Sequence, residues 1–229
     1  MDLSSAAFWA ALGSIILANI VLSGDNAVVI AIAARSLPAK QQKQAIFWGS
    51  AAAIAMRIVL TLIAVEMLKW PYLKIVGALL LLYIGAALLA EADDKDEAHK
   101  PAGGMLSAIR TILVADLVMS LDNVLAVAAA AKGDTVLLVI GLAVSVPLIV
   151  FGSTLLLKVM DRLPIIITLG AGLLGYLAGE MLLTDPALET RFGEIAPATV
   201  YGAGMAGAAL VVAIGTWLRR RRARAADMA

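Results

Sequence analysis

Apolar residues run along this chain in seven long stretches, at approximately 8–34, 45–67, 72–90, 106–131, 136–157, 164–183 and 199–218. The breaks between them are short and polar or contain proline: Arg35 to Gln44, Lys69 to Tyr72, Glu91 to Gly104, Lys132 to Thr135, Lys158 to Leu163, and Thr184 to Ala198. A run of about 20 apolar residues is long enough to cross a bilayer as a helix. Lipid offers no partner to unpaired backbone groups, so such runs fold as helices. The pattern predicts an all-α polytopic membrane protein with seven transmembrane helices. The first run carries Asn19, Ser23, Asp25 and Asn26 in its middle, and Met1 to Ser5 hold no basic residue. A secretory signal has the opposite pattern, so the run is read as a retained span.

Composition agrees and narrows the chemistry. Hydrophobic residues make up 62% of the chain and charged residues 15%, against about 45–50% apolar in soluble domains. With no cysteine, thiolate metal sites and disulfides are excluded. His99 is the single histidine, so a bound metal would be held mainly by oxygen.

The distribution of charge gives orientation. Alternate breaks with the span ends beside them, together with the C-terminal tail, hold Arg35, Lys40 and Lys43, then Lys95, Lys100 and Arg110, then Lys158 and Arg162, then Arg219 to Arg222 and Arg224, which is 13 positive residues. The others hold Lys69, Lys74, Lys132 and Arg191, which is 4. The richer set is expected in the cytoplasm, with the N-terminus outside and the C-terminus inside. The acidic stretch around Glu91 to Glu97 reads as a solvated linker, and Arg219 to Arg222 as an anchor at anionic headgroups rather than a nucleic-acid tail.

The chain also repeats itself. Asn19-Ile20-Val21-Leu22-Ser23-Gly24-Asp25-Asn26 matches Asp116-Leu117-Val118-Met119-Ser120-Leu121-Asp122-Asn123, 97 residues further on. With small gaps, Gly49 pairs with Gly141, Pro71 with Pro164, Gly77 with Gly170 and Tyr83 with Tyr176. Three spans repeat as three, and because three is odd the copies enter the membrane in opposite senses. Such inverted repeats place substrate near the midplane in many secondary transporters. The expected units are a first repeat at 1–90, an acidic cytoplasmic linker at 91–105, a second repeat at 106–183, and a seventh helix with a basic tail at 184–229.

Asp25, Asp116 and Asp122 lie deep in their spans, where a charge costs about 2.5–3.5 kcal/mol on insertion scales. Folding does not require that cost, so these are site candidates, with Asn19, Asn26 and Asn123 as further oxygen ligands and Ser23 and Ser120 in support. Asn19, Ser23 and Asn26 share a helix face, as do Asp116, Ser120 and Asn123. Asp25 and Asp122 point off it unless the helices break at Ser-x-Asp-Asn, which Gly24 favours and Leu121 does not. Carboxylate, amide and hydroxyl oxygens suit hard divalent cations. Met119 could add a thioether favouring Mn²⁺, although methionine in a helix is more often packing. Arg57 is the one basic residue deep in a span and is expected to face a carboxylate. Its role is open between displaceable counter-ion and fixed ion pair. Glu66 and Glu180, near outer span ends, are candidates for an access path. The glycines of the sixth span read as a packing face.

On these motifs the sequence resembles the TerC family of integral membrane proteins, in particular its short YjbE-like members, over roughly residues 10–218. Members are associated with Mn²⁺ export from the bacterial cytoplasm, and the family is grouped with LysE-like transporter folds. The resemblance implies an inner-membrane exporter with Asn19, Asp25, Asn26, Asp116, Asp122 and Asn123 as the ion site. Asn19 stands where the second repeat has Asp116, which leaves the site charge open.

The leading expectation is therefore a secondary transporter exporting a divalent cation, Mn²⁺ first, from the cytoplasm. It is not expected to be an enzyme or to carry a cofactor, since no P-loop, HExxH or dinucleotide turn is present. Expected partners are the metal ion and the lipid bilayer, with no nucleic acid and a homodimer left open. Three other readings stand beside it: export of a small organic solute such as an amino acid, an accessory protein delivering metal to exported enzymes, and, more distantly, an intramembrane hydrolase.

Overall fold

A computed structural model describes residues 6–22, 24–67, 70–91, 104–130, 134–193 and 195–226. Ser23, most of the acidic linker, and the side chains of Asn19, Glu66 and Asp122 lie outside what it describes. The described residues form α-helices and connecting turns, with no strand among them: α1 (Ala6–Leu22), α2 (Gly24–Ala34), α3 (Ala39–Met67), α4 (Leu73–Ala90), α5 (Gly104–Ala130), α6 (Thr135–Arg162), α7 (Ile165–Leu183), α8 (Pro186–Phe192) and α9 (Pro197–Ala226). Six of these, α3 to α7 and α9, are long and apolar enough to cross a membrane, while α1 and α2 are shorter apolar helices in place of one first span. The protein is a multi-pass integral membrane protein.

Several boundaries move. α3 begins before the apolar run at 45, because Ala39 to Gln44 form a polar first turn and a half. α6 and α9 extend past 157 and 218 into their basic ends, and α8 has no counterpart among the apolar runs. Helix α5 runs unbroken through Ser120 to Asn123, so the second motif lacks the break that would turn Asp122 onto the face of Asp116. Leu121, buried and a good helix former, gives no reason to interrupt it.

The outer surface agrees with a lipid solvent. Trp9, Leu62, Tyr83, Phe151 and Tyr201 are all at least 59% exposed, a display that would be an aggregation hazard in water but is ordinary against lipid. Inside, two glycine contacts mirror each other. A Cβ on Gly49 of α3 would lie 2.8 Å from Cδ1 of Ile112 on α5, and one on Gly141 of α6 would lie 2.5 Å from Cγ2 of Ile15 on α1. Ile112 follows Ile15 by the same 97 residues that separate the two Asp-Asn motifs. Each half thus uses its matching glycine to seat the matching isoleucine of the other half.

Helix α9 packs closely along α7. Cβ atoms on Gly175 and Gly207 would each strike the other's carbonyl oxygen, and one on Gly179 would strike that of Ala203. Small residues at such crossings let backbones approach where no hydrophobic force draws helices together. A valine at Gly207 therefore cannot be absorbed by a rotamer change. Gly207→Val is expected to destabilise the protein by at least about 3 kcal/mol, the upper range for overpacking, read as a lowered melting temperature in detergent.

At the end of the bundle where α4 begins and α7 ends, Asp185 ties two helices together. Its side chain is fully buried and accepts from the backbone N–H groups of Tyr72 (2.9 Å), Lys74 (3.0 Å), Ile75 (3.3 Å) and Ala187 (2.8 Å). It thereby satisfies orphan donors at the starts of both α4 and α8. Burial alone would raise its pKa, but the N–H donors outweigh it and hold the carboxyl below its ordinary value of 3.8. A depressed acid stabilises the fold above its unfolded pKa and loses that contribution as pH falls through the folded one. Thermal melts of wild type and Asp185→Asn should therefore differ at neutral pH, and the gap should narrow only below about pH 4.

Candidate ion site

The two repeated segments, 19–26 and 116–123, meet in a buried polar network. Asn26 Nδ2 donates to Asp116 Oδ1 at 2.7 Å, joining α2 to α5. Arg57, from α3, donates from Nη2 to the same oxygen at 2.5 Å and from Nε to Ser120 Oγ at 2.9 Å. Ser120 in turn donates to Asp116 Oδ2 at 3.2 Å. Arg57 is 1% exposed, Asn26 2% and Asp116 6%. Both carboxylate oxygens of Asp116 are thus engaged, and its charge is answered by the guanidinium. The network also fixes the Asn26 amide, because only its nitrogen can face the acceptor Asp116. The amide oxygen is then turned away, buried and without a hydrogen-bond partner among the described residues. A buried acceptor in that state costs about 1–3 kcal/mol, and a cation would satisfy it.

Asp25 borders this network, within electrostatic reach of Arg57 and Asp116 but outside their ion pair. It lies in the first turn of α2, half-buried, with Oδ1 accepting from the Asn26 backbone N–H at 2.8 Å. It lines a cavity of about 70 Å³ together with Met119 and Asn123 of α5 and Leu177, Glu180 and Met181 of α7. One water needs about 10–15 Å³ on this measure, so the space admits a cation with part of its hydration shell. Tyr176 donates from its hydroxyl to Glu180 Oε1 at 2.8 Å and so orients that carboxylate. Among the described residues no cluster of three acids, histidines or cysteines forms. A metal here would rely on two carboxylates, the Asn123 amide, two thioethers and water. A larger groove of about 490 Å³ beside Leu155, Lys158, Val159, Arg162 and Leu163 holds no acid. Its two cationic side chains would repel a metal ion.

The residues named from sequence thus fall into two groups. Asn26, Arg57, Asp116 and Ser120 share the network, while Asp25, Met119, Asn123 and Glu180 line the cavity. Asn19, Ser23 and the Asp122 side chain lie outside the described residues, although the backbone of Asp122 continues α5. Sequence reasoning missed Met181 and the hydroxyl of Tyr176. The second was findable, since Tyr176 and Glu180 are four apart on one helix face. Met181 carried no signal beyond its neighbour Glu180.

Residues 4–223 match the family described as integral membrane protein TerC family. The chain belongs to the TerC family. Three similar proteins come from Bacillus subtilis (strain 168). The uncharacterized membrane protein YjbE is 51% identical over 172 residues, covering 75% of this chain and 78% of the relative. The uncharacterized membrane proteins YceF and YkoY are each 26% identical, over 182 and 184 residues, covering 76% and 71% of this chain and 70% and 56% of theirs. No solved structure matches. Family membership thus fits the helical architecture.

Proposed function

We propose that this TerC-family protein is a secondary transporter that exports a divalent cation, Mn²⁺ first, from the cytoplasm of a bacterium. The observation that carries the proposal is the small cavity holding Asp25, Asn123 and Glu180 directly beside the network that joins the two repeated segments. Oxygen donors with two nearby thioethers suit Mn²⁺ better than a purely hard ion. Together α1 and α2 make the first of seven spans, and two inverted three-helix repeats surround the site, a reading supported by the mirrored Gly49–Ile112 and Gly141–Ile15 contacts. The N-terminus lies outside and the arginine-rich C-terminus inside, following the positive charges. In alternating access the ion enters from the cytoplasm, binds at the cavity, and leaves on the other side as the repeats rock.

Export of an amino acid is the competing reading. It is disfavoured because Arg57, the deep cation that could greet a substrate carboxylate, already answers Asp116. Metal content of cells separates the two. Expression in a bacterium stripped of its own Mn²⁺ exporters should lower cytoplasmic Mn²⁺ under manganese challenge. Unchanged metal with a rise in exported amino acids would favour the second reading, and neither change would point to an accessory role in metal delivery.

A further inference from the structure

The Arg57–Asp116–Asn26 network and the cavity adjoin, Ser120 of the network following Met119 of the cavity wall on α5 and Asn26 following Asp25 on α2, but the network reaches further towards the start of α5. In α5, Asp116 precedes Met119 by about one turn and Asn123 by about two, which is roughly 10 Å along the axis. Helix α7 contributes Leu177, Glu180 and Met181 from its C-terminal end, whereas α2 continues from Asn26 towards Arg35. The network therefore extends from the cavity towards the end of the bundle where α2 finishes and α5 begins, the end carrying Arg35, Lys40, Lys43 and Arg110. It is also sealed, since Arg57, Asp116 and Ser120 are buried and bonded to one another.

The repeat supplies a comparison within the same chain. The 97-residue spacing carries Asp116 back to Asn19 and Asn26 forward to Asn123. The 92-residue spacing of Gly49 and Gly141 carries Arg57 forward to Ile149. Burial supports that register: Gly49, Ser50, Ala53, Arg57 and Thr61 are buried, as are Gly141, Leu142, Ser145, Ile149 and Ser153. So the acid and the arginine are present together in one half-site, and at the matching positions of the other both are replaced by neutral residues. An acid alone or an arginine alone would leave an uncompensated charge, which explains why the two differences occur as a pair.

We propose that Arg57, Asp116 and Asn26 form a charge-locked gate on the cytoplasmic side of the cavity, and that no such charge lock exists on the other side, because the matching positions of the other repeat are the neutral Asn19, Ile149 and Asn123. Asp116 is then the counter-ion of the lock and not a ligand of the transported ion. The lock makes the two closures unequal. Closing towards the cytoplasm gains an ion pair that closing outward does not, so the empty protein rests with its cavity reachable from outside. This rests on the transporter reading for its purpose, but its structural content can be tested without transport.

The sequence holds no cysteine, so a single introduced thiol reports on one place. Met119→Cys places that thiol on the cavity wall. In the full-length protein in oriented vesicles, a small membrane-impermeant methanethiosulfonate should modify it at least about tenfold faster from the outer face than from the cytoplasmic face. Adding Arg57→Ile and Asp116→Asn together, which copies the neutral half, should raise the cytoplasmic rate about tenfold or more and leave the outer rate similar or lower. Unchanged cytoplasmic modification in a double variant that remains folded by size-exclusion chromatography would overturn the gate. For Mn²⁺ flux, each single substitution should be more damaging than the pair. A pair as inactive as Asp116→Asn alone, in a wild type that transports, would make Asp116 a ligand and also overturn the proposal. A wild type with no flux would instead sink the transporter reading, while the modification rates would still judge the gate.

Discussion

Asp25→Asn is expected to reduce Mn²⁺ flux by at least about a hundredfold while leaving the protein as stable as wild type or more so. The loss follows from electrostatics in the cavity. Two unit charges about 4 Å apart are worth roughly 4 kcal/mol at an effective dielectric of 20, and each 1.4 kcal/mol is about tenfold. The asparagine keeps the shape and one oxygen but removes the charge. The retained stability follows from Asp25 lying outside the Arg57–Asp116 ion pair. Asp116 is held in an ion pair, whereas Asp25 lines the cavity, so neutralising Asp25 relieves part of the roughly 2.5–3.5 kcal/mol cost of an intramembrane acid. A flux assay and a thermal melt on the same preparation check both halves. A variant that loses flux only because it unfolds would count against Asp25 as a ligand.

Arg57→Ile shows the converse. Removing one partner of a buried pair leaves the other charge without compensation, at a cost of about 3–5 kcal/mol. Here Asp116 would keep Asn26 and Ser120 as donors but lose its counter-charge. The loss is expected in reversible unfolding in mixed micelles, and Asp116→Asn should be destabilising as well. The double variant should recover much of the deficit, because a neutral pair of similar volume often replaces a buried ion pair at little cost. The double-mutant cycle reads the coupling directly. Additive effects would mean that the 2.5 Å contact contributes no stability of its own.

The sequence made much of this legible, for physical reasons. Long apolar runs have few folding options in lipid, so the helical architecture and most span limits follow from the pattern alone. Arg57 was equally transparent, since an arginine at that depth needs an acid and the structure places Asp116 there. Which acid it takes was not legible, because the choice depends on how α3 crosses α5, a packing result set by Gly49 and Ile112. The same crossing decides that Asp116 is answered internally while Asp25 lines open space. The extension of α6 past Leu157 is hard to foresee for a different reason: at a membrane surface Lys158 and Arg162 can stay helical while their charged heads reach water. Met181 entered the cavity through the rotation of α7, which is fixed by its contact with α9 along Gly175 and Gly179.

The most direct measurement is Mn²⁺ flux by the purified full-length protein in liposomes, with Asp25→Asn and Asp122→Asn reconstituted in parallel. Wild type should show saturable flux and both variants should lose it, since each motif contributes to one shared site. Intact Mn²⁺ binding without flux in wild type, or full flux in either variant, would contradict it.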